Sequence, residues 1–159
     1  MKKIILMIAV LIGLTACNGN KFHIDGTIEG AGDTTTLVLE QSSNGEWFIV
    51  DSIKVGKNGK FSLSADAPQV PSIYQLRLGN QTICFPIDSL DYLTINAKLP
   101  NFAREYSVSG SEHAEQVMKI DQEAMQFAAG KGTPAELQAW KDKQARQIAA
   151  DPRGIVAYY

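Results

Sequence analysis

Two histidines and the acidic residues near them are the first side chains whose types and spacing could do chemistry. His23 and Asp25 are two positions apart, so on a strand they would share a face, where they could act as a general base and the acid that orients it. The exposed polar face of an ordinary strand has the same spacing. We therefore assign no catalytic residue to this pair, nor to any other residue of the chain.

Metal binding is the second chemistry that these side chains could support. His113 stands beside Glu112 and Glu115, but a metal site needs further ligands at compatible spacing. Asp88 and Asp91 bracket a turn, and two carboxylates fall short of the six or more oxygens that calcium prefers. We expect a solvated helix start at His113 and turn hydrogen bonds at the aspartates. The prediction is that the chain holds no metal and no cofactor.

Two further groups could face a ligand. Asp51 and Ser52 interrupt an apolar run, but a β-bulge or an edge position, where such side chains bond the backbone, is the favoured interpretation. Trp47, Phe48 and Tyr74 could build an aromatic platform for a sugar. Core packing is the default expectation for aromatic residues on alternating strands.

The start of the chain carries a more specific pattern. Two lysines precede the apolar run at residues 4–14, which is too short to span a bilayer but long enough for a signal peptide. Leu14-Thr15-Ala16-Cys17 follows and resembles the bacterial lipobox, whose cysteine thiol takes a diacylglycerol before the signal is cleaved. We predict a signal peptide at residues 1–16 and lipidation of Cys17. An ordinary signal peptide and an uncleaved anchor remain the alternatives.

Lipidation of Cys17 would make membrane lipid the first partner of the chain. Several acyl chains on one residue are enough for stable anchoring. Residues 17–21 would form the lipidated cysteine and a short tether. Asn18, rather than aspartate, follows the cysteine, and no acidic cluster occurs in the tether. We expect a lipoprotein on the periplasmic face of the outer membrane of a Gram-negative bacterium.

The second cysteine, Cys84, would then have no partner for an internal disulfide. It lies in the apolar sequence Ile83-Cys84-Phe85, which should raise the pKa of its thiol and leave it inert. We expect a buried structural cysteine.

Length and charge restrict the possible functions. Of 159 residues, 143 remain after removal of residues 1–16, which is about one domain. The net charge of −2 becomes −4 once Lys2 and Lys3 are removed. Nucleic acid is therefore not an expected partner, since such binding relies on neutralising phosphates.

Residues 22–110 predict a domain of short strands. Apolar and polar residues alternate, as in half-buried strands, and Asn44-Gly45 and Asn58-Gly59 are strong hairpin signals. We predict a mainly β fold, an antiparallel meander of about eight strands folded into a sandwich or half-barrel. Pro68 and Pro71 should mark the crossing between sheets. The expected strands are residues 22–28, 37–40, 47–50, 61–65, 74–78, 82–87, 93–95 and 106–108.

Residues 111–159 change to a helical period. Ser111 is the expected N-cap of a first helix, and Thr133-Pro134-Ala135-Glu136 predicts a capping box at the start of a second, whose apolar stripe is Leu137, Trp140 and Ile148. Asp151-Pro152 indicates the start of a third helix. Because the chain then stops at the aromatic Tyr158-Tyr159, we expect this helical segment to be truncated.

Three patterns together resemble a known family. They are Phe22-x-Ile24-x-Gly26-x-Ile28, Val50-Asp51-Ser52-x-x-Val55-x-x-Asn58-Gly59-x-Phe61 and Phe85-Pro86-Ile87-x-x-x-Asp91-x-Leu93-x-Ile95. They are similar to the domain of unknown function at the N-terminus of many thioredoxin-like bacterial lipoproteins.

The resemblance covers residues 22–159 and implies a thiol-disulfide oxidoreductase whose redox chemistry belongs to a C-x-x-C in a later, thioredoxin-like domain. This chain contains no C-x-x-C, so no catalytic residue is carried over. The expected function is a non-catalytic accessory domain whose partner is a downstream or separate thioredoxin-like domain. A binding module for an envelope glycan or small ligand is the alternative.

Overall fold

The structure is a computed structural model that describes residues 20–159. The predicted signal peptide and Cys17 lie outside the described residues. Within them, eight strands are followed by two helices and a short 3₁₀ turn. The strands are β1 Lys21–Glu29, β2 Thr36–Ser43, β3 Glu46–Lys54, β4 Lys60–Asp66, β5 Ser72–Leu78, β6 Gln81–Ile87, β7 Tyr92–Lys98 and β8 Tyr106–Ser109. The helices are α1 Glu112–Ala128 and α2 Pro134–Ala150, and the 3₁₀ turn is Ile155–Tyr158.

The mainly β class is confirmed, and the strands form two four-stranded sheets. Sheet A has the order β4-β1-β7-β8, and sheet B has the order β3-β2-β5-β6. Alternation along each strand sends one set of side chains into the shared core. In β4, for example, Phe61, Leu63 and Ala65 are buried while the residues between them are exposed.

The connectivity differs from the meander that we predict from the sequence. In sheet A, β1 lies between β4 and β7, and its pairing with β7 is parallel. Hairpin signals report only strands that follow one another directly, and parallel strands need a long crossover between them. Here that crossover includes all the strands of sheet B.

The two Asn-Gly turns have different outcomes. Asn44 and Gly45 both have positive φ, 52° and 80°, and they join the antiparallel pair β2 and β3, as expected for a type I′ hairpin. Asn58-Gly59 precedes β4, which belongs to the other sheet from β3. The hairpin prediction at Asn58-Gly59 is therefore wrong. Gly59 instead accepts a backbone hydrogen bond from Ile28 through its carbonyl oxygen, at 2.8 Å.

The predicted crossing between sheets at Pro68 and Pro71 is confirmed. Residues 67–71 leave β4 in sheet A and enter β5 in sheet B. Between the sheets, the ring of Tyr74 contacts Phe22 edge-on, with centroids 5.0 Å apart, and stacks on Phe85 at 6.4 Å. These aromatic side chains lie in the centre of a continuous apolar core.

The helices cover one side of this sandwich. Helix α1 packs against β6 and β8, and buries Ala114 and Val117. Ser111 is its N-cap residue, although its side chain makes no capping hydrogen bond. Helix α2 begins with the predicted capping box of Thr133 and Glu136.

Helix α2 contacts α1 through a few side chains. Trp140 contacts Phe127 with ring centroids 5.7 Å apart and donates a hydrogen bond to Glu123 at 2.6 Å. No residue of α2 is fully buried, so its apolar stripe is only partly covered. The predicted third helix is a 3₁₀ turn, Ile155–Tyr158, in which Ile155 is buried. Within residues 20–159, no helix combines the length and the apolar character needed to cross a bilayer.

Candidate functional site

The polar side chains that the fold buries are the natural place to look for chemistry, because buried polar groups are costly unless they are satisfied. Among the described residues, Glu40 and Gln75 are the buried polar or charged side chains. They are register partners on β2 and β5. Because Tyr74 and Leu76 point into the core, Gln75 and its partner Glu40 lie on the opposite, outer face of sheet B.

A chain of hydrogen bonds crosses this face, and we call Glu40, Gln75, Arg77 and Cys84 the outer-face network. Arg77 donates from Nε and Nη2 to Oε1 of Glu40, at 2.9 and 2.8 Å. Gln75 donates from Nε2 to Oε2 of Glu40 at 2.6 Å. Both carboxylate oxygens therefore have charged or amide donors at short distance.

The charge of Glu40 follows from these contacts. The hydrogen bonds from Arg77 lower the pKa of the Glu40 carboxyl below its ordinary value of 4.5, burial opposes this shift, and the hydrogen bond from Gln75 supports it. Glu40 is thus an ionised, neutralised carboxylate. It is poorly suited to act as a general base, because that role needs a pKa near the working pH.

Cys84 ends the network on β6, where it pairs with Gln75. Its Sγ donates to Oε1 of Gln75 at 3.8 Å. Burial raises the pKa of the Cys84 thiol to about 11, and the nearby charge of Asp121 adds to the shift. The predicted raised pKa is confirmed, although the side chain is half-buried rather than fully buried. At neutral pH the thiol is protonated, so it is not a ready nucleophile.

Helix α1 places Asp121 beside Cys84. The hydroxyl of Tyr106 donates to Asp121 at 3.2 Å, and the hydroxyl of Tyr159 also donates to it. Burial raises the pKa of Asp121, and the two tyrosine hydrogen bonds oppose that shift. Burial also raises the pKa of both tyrosines, and Asp121 raises it further. Asp121 therefore connects β8, α1 and the C-terminal residue through side-chain hydrogen bonds.

The outer-face network and Asp121 are suited to a structural role. A protonated thiol, a neutralised glutamate and an aspartate bound by two hydroxyls supply no activated nucleophile. The outer-face network joins three strands of sheet B, and Asp121 joins β8, α1 and the C-terminal residue. Sequence reasoning did not find Glu40, Gln75, Arg77 or Asp121, because their partners are distant in the chain. The one available signal was a glutamate in a strand otherwise rich in apolar residues.

His23 and Asp25 lie on the exposed outer face of sheet A, where each of them contacts Tyr92. The Tyr92 hydroxyl donates to Asp25, and the His23 ring stacks on the Tyr92 ring with centroids 5.6 Å apart. Hydrogen bonds from Ser62 and then Tyr92 lower the pKa of Asp25. Both residues contact the same tyrosine, and the His23 ring makes no hydrogen bond to Asp25 among the described contacts.

His113 and the two turn aspartates meet where α1 begins. His113 Nδ1 lies 2.5 Å from Oδ2 of Asp88, a contact across 25 positions that the sequence did not indicate. The Asp91 carboxylate accepts a hydrogen bond from the backbone of Asp88 at 2.8 Å, so the predicted turn chemistry is confirmed there. Within residues 20–159, no group of three or more His, Cys, Asp or Glu side chains is arranged to hold a metal ion.

The predicted bulge at Asp51 and Ser52 is also confirmed. The pairing of β2 with β3 shifts between Leu39 and Glu40, so that one extra residue, Val50, lies in β3. Next to it, the Ser52 backbone donates to its neighbour Asp51 at 2.7 Å. The outer strand of sheet B is therefore bent at this point.

The three candidate platform aromatics do not share a surface. Tyr74 is buried in the core, whereas Trp47 and Phe48 are 43% and 51% exposed. As neighbours on β3, Trp47 and Phe48 point to opposite faces of the strand. The core expectation is right for Tyr74 and wrong for the other two residues. The reason is that β3 is an edge strand whose partner β2 pairs with β5 only as far as Gln41.

Residues 22–117 match the family described as the domain of unknown function DUF4369. This match spans more than half of the 159 residues, so the chain belongs to that family. No curated protein is similar enough to count as a relative.

Replacing Glu40 tests whether the outer-face network stabilises the fold. Glu40→Gln removes the charge that Arg77 and Gln75 contact, and we expect a loss of about 1–2 kcal/mol in the free energy of unfolding at pH 7, since Arg77 is partly solvent-screened. Urea unfolding measures this loss. Glu29→Gln is the control, because Glu29 and its partner Lys98 are both exposed and the change should leave stability almost unaltered.

The stability that Glu40 contributes should depend on pH. A lowered pKa in the folded state means that the contribution of Glu40 is complete above its ordinary value of 4.5 and is lost as pH falls through the lowered pKa. The difference between Glu40→Gln and the parent should therefore shrink in acid. A difference that stays constant down to the acid-unfolding range would contradict this assignment.

Alkylation tests the state of Cys84. With a pKa of about 11 in place of 9.0, the thiolate fraction at neutral pH falls by about two powers of ten. We expect iodoacetamide to label Cys84 slowly in the folded protein and rapidly in urea, as peptide mapping by mass spectrometry would measure. Equal labelling rates in the two states would show that the thiol is not protected.

Proposed function

We propose that this DUF4369 domain belongs to a membrane-anchored periplasmic lipoprotein and is a non-catalytic accessory domain for a thioredoxin-like redox domain. The observation that carries the anchoring is the sequence Leu14-Thr15-Ala16-Cys17 after a short apolar run. The first strand begins at Lys21, so a lipidated Cys17 would hold the folded domain close to the membrane.

The state of the described thiol supports an accessory role. Oxidoreductases of the thioredoxin type use a low-pKa cysteine in a C-x-x-C, whereas the pKa of Cys84 is raised and the sequence has no C-x-x-C. The redox chemistry would therefore belong to another domain, downstream or on a separate chain. The domain described here would hold or orient that domain or its partner.

Two surfaces support binding to another domain. Strand β3 is an edge of sheet B, and an edge strand presents unpaired backbone groups that another strand can join. Helix α2 buries none of its residues fully, and Ile148 near its end is 45% exposed. Both surfaces can take a neighbour without disturbing the core.

The outer membrane is the proposed location, because Asn18 follows Cys17 and the tether carries no acidic cluster. The glycan-binding alternative stays a prediction. Of the three rings considered for it, Trp47 and Phe48 are the exposed ones.

Replacing the cysteine tests the anchor. Cys17→Ser removes the only sulfur at the lipobox, so we expect the full-length protein to move from the membrane fraction to the soluble fraction. Cys84→Ser is the matched control and should leave the parent distribution unchanged. Mass spectrometry of the parent should find acyl chains at its N-terminus. A Cys17→Ser protein that stays with membranes, together with a parent without acyl chains, would exclude lipidation.

The redox relationship has a separate test. Reading the gene past the codon for Tyr159 should show either a C-x-x-C followed by a βαβ pattern or a stop codon. With a stop codon, crosslinking in cells should capture a thioredoxin-like protein on the chain. A stop codon and no such capture would exclude the accessory role while leaving lipidation unaffected.

A further inference from the structure

The strand registers define one end of the sandwich, which we call the anchor end. Its parts are the first described residue, Asn20, the hairpin turn at residues 43–46, the crossover at 67–71 and the loop at 88–91. Lys21 pairs with Asp66, and the Asn20 carbonyl accepts a hydrogen bond from Ala67 at 2.6 Å. In the other sheet Ser72 pairs with Ile87. The ends of β4 and β6 and the starts of β1 and β5 therefore lie together.

Large apolar side chains are exposed at this end. Val70 in the crossover is 67% exposed, Leu90 in the next loop 60%, and Trp47 and Phe48 beside the hairpin turn 43% and 51%. Trp47 pairs with Ser42, which lines a shallow cavity together with Val70, Pro71 and Tyr158. The hairpin and the crossover thus form one continuous surface.

The opposite end has a different character. Its loops, residues 30–35, 55–59, 79–80 and 99–105, contain none of the large exposed hydrophobic side chains found in the described part of the chain. Outside the two ends, the large exposed aliphatic side chains of the described residues are Ile49 and Val50 on β3 and Ile148 on α2. Several exposed apolar side chains grouped at one end of a domain mark an interaction site. Tryptophan with aliphatic neighbours is the composition that favours the boundary between lipid headgroups and acyl chains.

The length of chain before the fold indicates what covers this surface. Two residues separate Cys17 from Asn20, so the three steps between their Cα atoms span at most about 11 Å when extended. If Cys17 carries lipid, Asn20 and the anchor end must lie within that distance of the membrane interface. A partner protein of ordinary thickness would not fit between them.

We propose that the anchor end docks on the surface of a neutral phospholipid bilayer, with Trp47, Phe48, Val70 and Leu90 entering the headgroup region. This inference rests on the proposed lipidation of Cys17 and adds an orientation to it. Docking would hold the strands roughly perpendicular to the membrane plane, with the opposite end of the sandwich directed into the periplasm. The lipid anchor and the apolar side chains would then act together, as two membrane signals on one domain.

The charged residues at the anchor end favour neutral lipid over anionic lipid. The charged residues within the anchor end are the carboxylates Glu46, Asp88 and Asp91, and next to it lie Asp66, Lys21 and Arg153. Carboxylates therefore outnumber lysine and arginine side chains at this end. An anionic surface would repel this arrangement. Docking should therefore come from apolar contact and should not increase with anionic lipid.

Tryptophan fluorescence tests the docking, because the chain has only two tryptophans. The full-length acylated protein is placed in phosphatidylcholine vesicles whose acyl chains carry bromine near the headgroup. In Trp140→Phe the signal comes from Trp47, and we expect it to shift to shorter wavelength and lose most of its intensity. In Trp47→Phe the signal comes from Trp140 on α2, and it should be unchanged.

A second set of variants tests the surface. In the Trp140→Phe protein, Val70→Ser with Leu90→Ser should reduce the quenching of Trp47. Ile49→Ser, farther along β3, should leave it unchanged. Adding phosphatidylglycerol to the vesicles should not increase it. Circular dichroism checks that each variant is folded.

The outcomes separate the two proposals. Acyl chains on the protein with equal emission in brominated and ordinary vesicles would overturn the docking and leave the lipoprotein assignment standing. Absence of acyl chains would overturn both. Quenching of Trp140 as strongly as Trp47 would also overturn the docking, since it would place the side of the helices, and not the anchor end, against the lipid.

Discussion

The parallel pairing of β1 with β7 is the contact on which the rest of the fold depends. It joins His23–Glu29 of the first strand to Tyr92–Lys98 of the seventh, and it makes β1 an interior strand of sheet A. Gly26 is the residue that permits it, because a Cβ there would collide with the Ile95 carbonyl oxygen. Since parallel strands cannot be joined by a hairpin, the chain builds sheet B before β7 returns.

The pairing of β1 with β7 completes the sandwich, and this explains where polar groups could be buried. With both inner faces filled by apolar side chains, Glu40, Gln75 and Cys84 are left on the outer face of sheet B, where α1 and the C-terminal turn pack nearby. Arg77 and Gln75 satisfy the Glu40 carboxylate, so its burial is tolerated. The same packing protects the Cys84 thiol. Burial here stabilises the arrangement of strands and helix, and it removes reactivity from the side chains involved.

The two ends of the sandwich differ for a related reason. Because β1, β4, β5 and β6 all start or finish beside the first described residues, the anchor end is formed by segments from both sheets. Its apolar side chains come from a hairpin, a crossover and a loop that are far apart in the chain.

Much of the local structure could be predicted from the sequence. The eight strands, the Asn44-Gly45 hairpin, the capping box at Thr133 and the crossing at Pro68 each depend on residues within a few positions of one another. The bulge at Asp51 was accessible for the same reason. The candidate site was predicted only in part. The raised pKa of Cys84 followed from its apolar neighbours in the sequence, but the contacts of Cys84 with Gln75 and Asp121 could not be predicted from them.

Amino-acid order by itself therefore determined which segments are strands and helices, since periodicity and turn chemistry are local properties. The tertiary structure alone decided that β1 pairs with β7 and that Gln75 joins Glu40 to Cys84. It also decided that Trp47 and Phe48 face solvent on an edge strand. These contacts join residues far apart in the chain, and burial depends on which strands become neighbours, which the local spacing of residue types does not specify.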